Sequence, residues 1–141
     1  MDRLIKMLKR HEGAKSHAYQ CTAGRWTIGV GRNIDADGGI GLSEEEIDYL
    51  LRNDIRRIVD ELDGEYPWFK ELDATRKDAM VDISFNLGAT RLRGFKKALA
   101  AMAAKDYRTA AIEFLDSRWA RQVGTRALEL VDLIEHGDYA E

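Results

Sequence analysis

The sequence of 141 residues has one cysteine, one proline and no long apolar run. The lone thiol, Cys21, excludes an internal disulfide and a cysteine-based metal cluster. Scarce proline and a charged fraction of 33% favour a mainly helical protein. No stretch is apolar enough to span a membrane, and the first residues lack the apolar core of a signal peptide. We therefore expect one soluble domain that is made in the cytoplasm and has no stable membrane association.

The net charge of -3 conceals a strong segregation of charge along the chain. Residues 1–32 carry seven Lys or Arg against two acidic residues, and residues 91–126 carry nine against three. The segments between and after them are acidic. Basic segments attract an anionic polymer, either nucleic acid or bacterial cell wall, although both signs of charge are also compatible with ordinary solvated helix faces.

The first forty residues differ in pattern from the rest. Apolar spacing predicts a short helix over residues 2–12 that stops at Gly13. Residues 14–42 are rich in glycine and predict two or three short strands joined by tight turns. This part of the sequence therefore indicates a small β lobe.

Helical periodicity dominates after residue 42. Ser43 and Glu46 have the spacing of a capping box, and apolar residues then recur at three-to-four spacing over residues 43–62, which predicts a linking helix. Asp73 is placed to cap a second long helix that ends at Gly88. Further helices are expected around residues 95–102, 107–115 and 127–136. The fold class is thus α+β and mostly α, with a helical lobe over residues 65–141 that also takes in the N-terminal helix, and with an active-site cleft between the lobes.

The most informative local pattern joins Glu12 to the run from Arg25 to Gly31. In a strand, alternate side chains share a face, so Trp26 would share a bulky face with its alternate neighbours while Thr27, Gly29 and Gly31 share a bare one. A bare face allows a large ligand to approach the backbone. A carboxyl group at the end of a helix beside such a strand suggests a cleft with a general acid in its wall.

Seven short motifs, in order along nearly the whole chain, resemble the phage-type lysozymes, endolysins like those of the T-even phages in glycoside hydrolase family 24. The resemblance implies hydrolysis of the β-1,4 bond between N-acetylmuramic acid and N-acetylglucosamine in peptidoglycan, without cofactor or metal. The motifs are Arg10-His11-Glu12-Gly13, Tyr19, Thr27-Ile28-Gly29-Val30-Gly31, Phe85-Asn86-Leu87-Gly88, Gly94-Phe95, Ser117-Arg118-Trp119 with Gln122, and Arg126-Ala127.

The resemblance also implies roles for individual residues. Glu12 would be the general acid, and burial would keep its carboxyl group protonated. Thr27 would position the attacking water, and Arg126 would pair with Glu12. The residues implied to hold sugar amides or peptide stems, or alternatively to have a structural role, are Asn86, Arg118 and Gln122.

Cys21 stands where the commonest family pattern has aspartate. A thiol can act as base or nucleophile only if its surroundings stabilise the thiolate. Thiolate attack on the sugar would give retention, and activation of water would give inversion. A small residue without a chemical role is the remaining alternative.

Two other patterns suggest different chemistry. Residues Asn33 to Glu44 match the spacing of a calcium loop, but they follow a strand instead of a helix, which argues against calcium. His17 and Cys21 could form a nucleophilic pair, but their spacing suits a helix and this stretch predicts strand and turn.

Together these observations predict a monomeric muramidase that binds peptidoglycan and not nucleic acid. It would await a pore formed by another phage protein before reaching the wall and lysing the host. Two alternatives remain open: a chitin-type hydrolase on the same fold, and a module that grips peptidoglycan with a degenerate site and does not cut it.

Overall fold

A computed structural model describes residues 1–139. It is mostly helical, with a three-stranded antiparallel sheet near the N-terminus. The α+β class predicted from the sequence is therefore confirmed. The chain forms two compact units, the first spanning Met1–Leu50 and the second beginning at Leu51. Among the helices of residues 1–139, none has both the length and the apolar composition needed to cross a membrane.

The first unit begins with helix α1 (Asp2–Glu12), followed by strands β1 (Lys15–Gln20), β2 (Trp26–Gly29) and β3 (Arg32–Asn33). The N-terminal helix thus belongs to the unit that contains the sheet, whereas sequence reasoning placed it with the helical lobe. Only Gly13 and Ala14 separate α1 from β1. The sheet order is β1-β2-β3.

Helix α2 (Glu44–Glu65) runs from the first unit into the second. Its start is the predicted capping box: the Glu46 N–H donates to the Ser43 hydroxyl at 3.2 Å, and the Ser43 N–H donates to the Glu46 carboxylate at 2.9 Å. Arg32 from β3 also donates to this carboxylate, at 2.7 Å. The helix extends past the predicted end, because Gly64 is accommodated within its last turn.

The second unit continues with a turn of 3-10 helix (Phe69–Glu71) and then six helices. These are α3 (Ala74–Leu87), α4 (Ala89–Arg93), α5 (Lys96–Ala103), α6 (Tyr107–Leu115), α7 (Arg118–Val123) and α8 (Thr125–His136). Asp73 caps α3 by accepting from the Arg76 N–H, as its position predicted. Sequence reasoning missed α4 and α7, which are too short to show an apolar period.

The core of the second unit is built from the apolar stripes of these helices. Met80, Ile83, Phe114 and Ile134 are fully buried, and they come from α3, α6 and α8. The rings of Phe95 and Phe114 pack at a centroid distance of 5.4 Å. The aromatic and methionine stripes are thus core residues, as their spacing predicted.

Candidate active site

Glu12 is the last residue of α1, and the chain turns directly after it. Gly13 adopts a positive φ of 77°, and its N–H donates to the Lys9 carbonyl at 2.9 Å. The Glu12 side chain is exposed and lies against Gly31, where an added Cβ would be 3.0 Å from Oε2. The burial expected of a general acid is thus not found.

The strand bearing the predicted bare face is shorter than expected. Gly29 ends β2, and Gly29 and Gly31 both have positive φ, at 66° and 68°, so the chain turns there into β3. The expectation of a continuous strand to Gly31 is therefore wrong, because the glycines serve the turn. The two faces are also reversed in burial: Trp26 is 49% exposed, whereas Thr27 is 4% exposed.

The structure brings Thr27 and Cys21 together on neighbouring segments. Both hold the Arg25 carbonyl: the Thr27 hydroxyl donates to it at 2.9 Å, and the Cys21 N–H donates to it at 3.0 Å. The turn closes with a bond from the Gly24 N–H to the Cys21 carbonyl at 2.8 Å. These hydrogen bonds place Cys21 close to Thr27, whose hydroxyl is the predicted group for positioning water.

The surroundings of the Cys21 sulfur favour its thiolate form. The pKa of this thiol is lowered, chiefly by hydrogen bonding from the Arg25 N–H and then from the Ala23 N–H. The thiolate is the nucleophilic and basic form of cysteine, and the turn shifts Cys21 towards that form. The largest contributions come from backbone groups of the turn itself.

His17 lies in an irregular part of β1 between the pairs Lys15–Gly29 and Tyr19–Thr27. Its Nδ1 is 2.9 Å from the Ser16 hydroxyl, and both residues are exposed. His17 thus contacts its neighbour in the chain, and this contact does not support a nucleophilic pair of His17 with Cys21.

The acidic loop that follows β3 is held by its own side chains. Asn33 accepts from the Asp35 N–H at 3.0 Å, and Asp35 accepts from the N–H groups of Asp37 at 2.9 Å and Trp26 at 3.0 Å. Asp37 pairs with Arg25 at 2.6 Å. Within residues 1–139, no cluster of three or more His, Cys, Asp or Glu could hold a metal ion. The side chains of Asn33, Asp35 and Asp37 thus stabilise the loop in which they lie.

In the second unit, Asn86 and α7 are directly linked. The Asn86 amide oxygen accepts from the indole N–H of Trp119 at 2.6 Å, and Trp119 is 2% exposed. Arg118 and Gln122 are exposed and lie four residues apart on α7, so they share a helix face. Asn86 therefore has a structural partner, whereas Arg118 and Gln122 remain open to solvent.

Arg126 lies in the first turn of α8 and contacts an acidic residue that the sequence did not predict. Its Nε and Nη2 donate to the Asp82 carboxylate at 3.0 and 2.6 Å. Asp82 lies on α3, and no local pattern marks a contact across forty-four residues. The implied pairing of Arg126 with Glu12 stays a prediction.

Comparison with known proteins places these features in one family. The model of the phage lysozyme family matches residues 9–134. An endolysin of Acyrthosiphon pisum secondary endosymbiont phage 1 is 31% identical over 83% of this chain and 77% of its own length. A probable T4-type lysozyme 2 of Dictyostelium discoideum is 28% identical over 98% and 96%. The endolysin of Salmonella phage P22 is 31% identical over 79% and 77%.

Proposed function

The chain belongs to the phage lysozyme family, and we propose that it cleaves the β-1,4 bond between N-acetylmuramic acid and N-acetylglucosamine in bacterial peptidoglycan. The observation that supports this most is the contact of Glu12 with the β2–β3 turn, together with the β1–β2 connection, where Thr27 and Cys21 both bind the Arg25 carbonyl. Glycoside hydrolysis uses a general acid and a second group that acts as base or nucleophile, and in this proposal Glu12 is the acid and Cys21 the second group.

In this proposal, Glu12 gives its proton to the glycosidic oxygen as the sugar leaves. The Glu12 side chain is exposed, and we propose that bound polymer covers it and excludes water from it. Because Gly31 has no side chain, the Glu12 carboxyl group can lie close to the turn.

Cys21 and Thr27 would act on the side of the attacking group, which is either the Cys21 thiolate itself or a water molecule. If the thiolate attacks the anomeric carbon, a covalent sugar intermediate forms, water then replaces the sulfur, and the product retains its configuration. If the thiolate takes a proton from a water held by the Thr27 hydroxyl, that water attacks directly and the configuration inverts. The anomer of the first product distinguishes the two routes.

Catalysis is tested with purified peptidoglycan and the Glu12→Gln protein. We expect wild-type protein to clear the suspension and to release reducing ends, and Glu12→Gln to lose nearly all of this activity. Glu129→Gln, an exposed glutamate on α8, is the matched control and should behave as wild type. Equal clearing by wild-type and Glu12→Gln proteins would remove Glu12 from the mechanism.

The same assay separates the alternatives. Binding of peptidoglycan without clearing, by wild-type and Glu12→Gln proteins alike, would indicate a binding module with a degenerate site. Cleavage of chitin oligosaccharides at a rate comparable to that of peptidoglycan would indicate a broader N-acetylglucosamine hydrolase.

We also propose that the protein, as a monomer, lyses the host from within and reaches the wall through a pore made by another phage protein. The relatives named endolysins support this role. Expression in a bacterial host should leave cells intact until the inner membrane is permeabilised, and lysis should then follow. Lysis without permeabilisation would contradict the proposed route.

A further inference from the structure

The peptide group that joins Arg25 to Trp26 is held at both ends. Its carbonyl oxygen accepts from the Cys21 N–H at 3.0 Å and from the Thr27 hydroxyl at 2.9 Å. Its N–H, which belongs to Trp26, donates to the Asp35 carboxylate at 3.0 Å. One peptide group therefore connects Asp35 to the two residues that the proposed function assigns to the side of the attacking group.

Asp35 is itself fixed by the loop that follows β3. Its N–H donates to the side-chain oxygen of Asn33 at 3.0 Å, and its carbonyl accepts from the Gly39 N–H at 2.9 Å. The carboxylate oxygen that does not bind Trp26 accepts from the Asp37 N–H at 2.9 Å. An added Cβ at Gly39 would lie 2.6 Å from the Asp35 nitrogen, so the loop closes tightly only with glycine there. The backbone and both carboxylate oxygens of Asp35 are thus engaged.

The charge on Asp35 strengthens its hold on the peptide group. Hydrogen bonds from the Trp26 N–H and then from the Asp37 N–H lower the pKa of Asp35, so the carboxylate is ionised near neutral pH. An ionised acceptor makes a stronger hydrogen bond than a neutral one. A peptide N–H that donates to it also polarises the carbonyl of the same peptide, which strengthens the bonds that this carbonyl accepts from Cys21 and Thr27.

Asp37 offers a comparison within the same loop. Its carboxylate pairs with the Arg25 side chain at 2.6 Å, and the Asp37 side chain is 83% exposed. An ion pair so open to solvent contributes little. Of these two carboxylates, Asp35 is the one that binds the peptide group on which Cys21 and Thr27 converge.

We propose that Asp35 is a positioning residue for wall cleavage. By holding the Trp26 N–H, it fixes the peptide group between Arg25 and Trp26 and thereby orients Cys21 and Thr27 towards the sugar. The proposal rests on the proposed function and gives the acidic loop a part in it. The competing role is that of a carboxylate that stabilises its own loop and has no effect on Cys21.

The first test compares Asp35→Asn with wild type on soluble glycan strands, at a temperature at which circular dichroism shows both proteins folded. Asparagine keeps the shape of the side chain but has one acceptor oxygen in place of two, and it carries no charge. We expect kcat to fall on the order of tenfold, because Cys21 and Thr27 lose their fixed orientation. KM should stay within about twofold, since the sugar-binding surface is unchanged.

Cys21 reports the same change without any wall cleavage. Alkylation of folded Asp35→Asn should require a higher pH than wild type to reach half its maximal rate, because the Arg25 N–H is less well placed against the sulfur. Loss of a negative charge by itself would move the profile to lower pH. A carboxylate that stabilises only its own loop would leave the profile of the folded protein unchanged.

Two further variants separate the bond to the peptide from the charge of the loop. Asp37→Asn removes the same charge but keeps the N–H that donates to Asp35, so kcat should change by less than about twofold. Asp48→Asn, an exposed acidic residue on α2, is the matched control and should behave as wild type in both measurements.

A wild-type kcat or a wild-type alkylation profile in Asp35→Asn would overturn the proposal. So would an Asp37→Asn protein that matched Asp35→Asn in both measurements, since the charge of the loop would then be responsible. If the wild-type protein releases no reducing ends, the proposed function fails instead. The alkylation profiles still decide in that case whether Asp35 orients Cys21.

Discussion

The carboxylate of Glu12 lies against Gly31, so that a Cβ at position 31 would be 3.0 Å from Oε2 and 3.4 Å from the carboxyl carbon. Gly31 also has a φ of 68°, a region that other residues rarely adopt. One glycine therefore satisfies two demands, the turn between β2 and β3 and the close approach of the candidate acid.

Replacing Gly31 should affect stability and activity together. We expect Gly31→Ala to cost about 1–2 kcal/mol of unfolding free energy, from the positive φ, and to reduce kcat, because the Glu12 carboxyl group must move. Urea unfolding and reducing-end release measure the two effects. Gly64→Ala is the control: it lies inside α2 with open space around it, and should be neutral or stabilising by up to about 1 kcal/mol.

Cys21 should react as a thiol of lowered pKa. Alkylation of the native protein should reach half its maximal rate at a lower pH than alkylation of the unfolded chain, because hydrogen bonds from the N–H groups of Arg25 and Ala23 stabilise the thiolate. Identical profiles for native and unfolded protein would contradict the hydrogen-bonding pattern at this turn.

Substitution of Cys21 tests its chemical role. We expect Cys21→Asp to retain wall-cleaving activity and Cys21→Ser to lose most of it, since a hydroxyl does not ionise near neutral pH. Full activity of the serine variant would assign Cys21 to a packing role.

Glu46 should make the start of α2 sensitive to acid. Hydrogen bonds from Arg32, and then from the Ser43 N–H, lower the pKa of Glu46 from its ordinary 4.5 to about 2. The folded form binds the proton less readily than the unfolded chain, so the stabilisation is present above pH 4.5 and is lost as the pH falls through about 2. The difference in Tm between wild type and Glu46→Gln should therefore shrink over this window. A difference that stays constant from pH 5 to pH 2 would contradict this assignment.

We expect replacement of Asn86 to lower the stability of the protein. Asn86→Ala leaves the buried Trp119 indole N–H without its partner and should cost about 1–3 kcal/mol. In the Trp119→Phe background the same change should cost much less, because no donor is left unsatisfied. An unchanged stability together with a raised KM would instead make Asn86 a substrate contact.

Arg76 joins the start of α3 to the end of α8. It donates to the Ile134 carbonyl at 2.6 Å, the Glu135 carbonyl at 2.8 Å and the Asp73 carboxylate at 3.0 Å, and its guanidinium lies 3.8 Å from the centre of the Tyr107 ring. Arg76→Lys should lower the free energy of unfolding, measured in urea, by about 2 kcal/mol, because a lysine ammonium cannot make all of these hydrogen bonds at once. Arg52→Lys, an exposed arginine on α2, should change stability by less than about 0.5 kcal/mol.

Much of this protein follows from local sequence signals. Ser43 with Glu46, Asp73 and Gly88 marked helix ends correctly, since caps depend on residues three or four apart. The apolar period identified the longer helices for the same reason. The family resemblance also lay in short motifs, and comparison confirmed it.

The sequence did not determine the contacts that shape the candidate site. Gly29 and Gly31 looked like the bare face of a strand, but their backbone angles make them a turn, and Gly31 then receives Glu12. The partners of Arg126 and Trp119 lie 44 and 33 residues away. Helix ends and periods are fixed by neighbours in the chain, whereas these contacts depend on how distant segments pack, which only the tertiary structure decides.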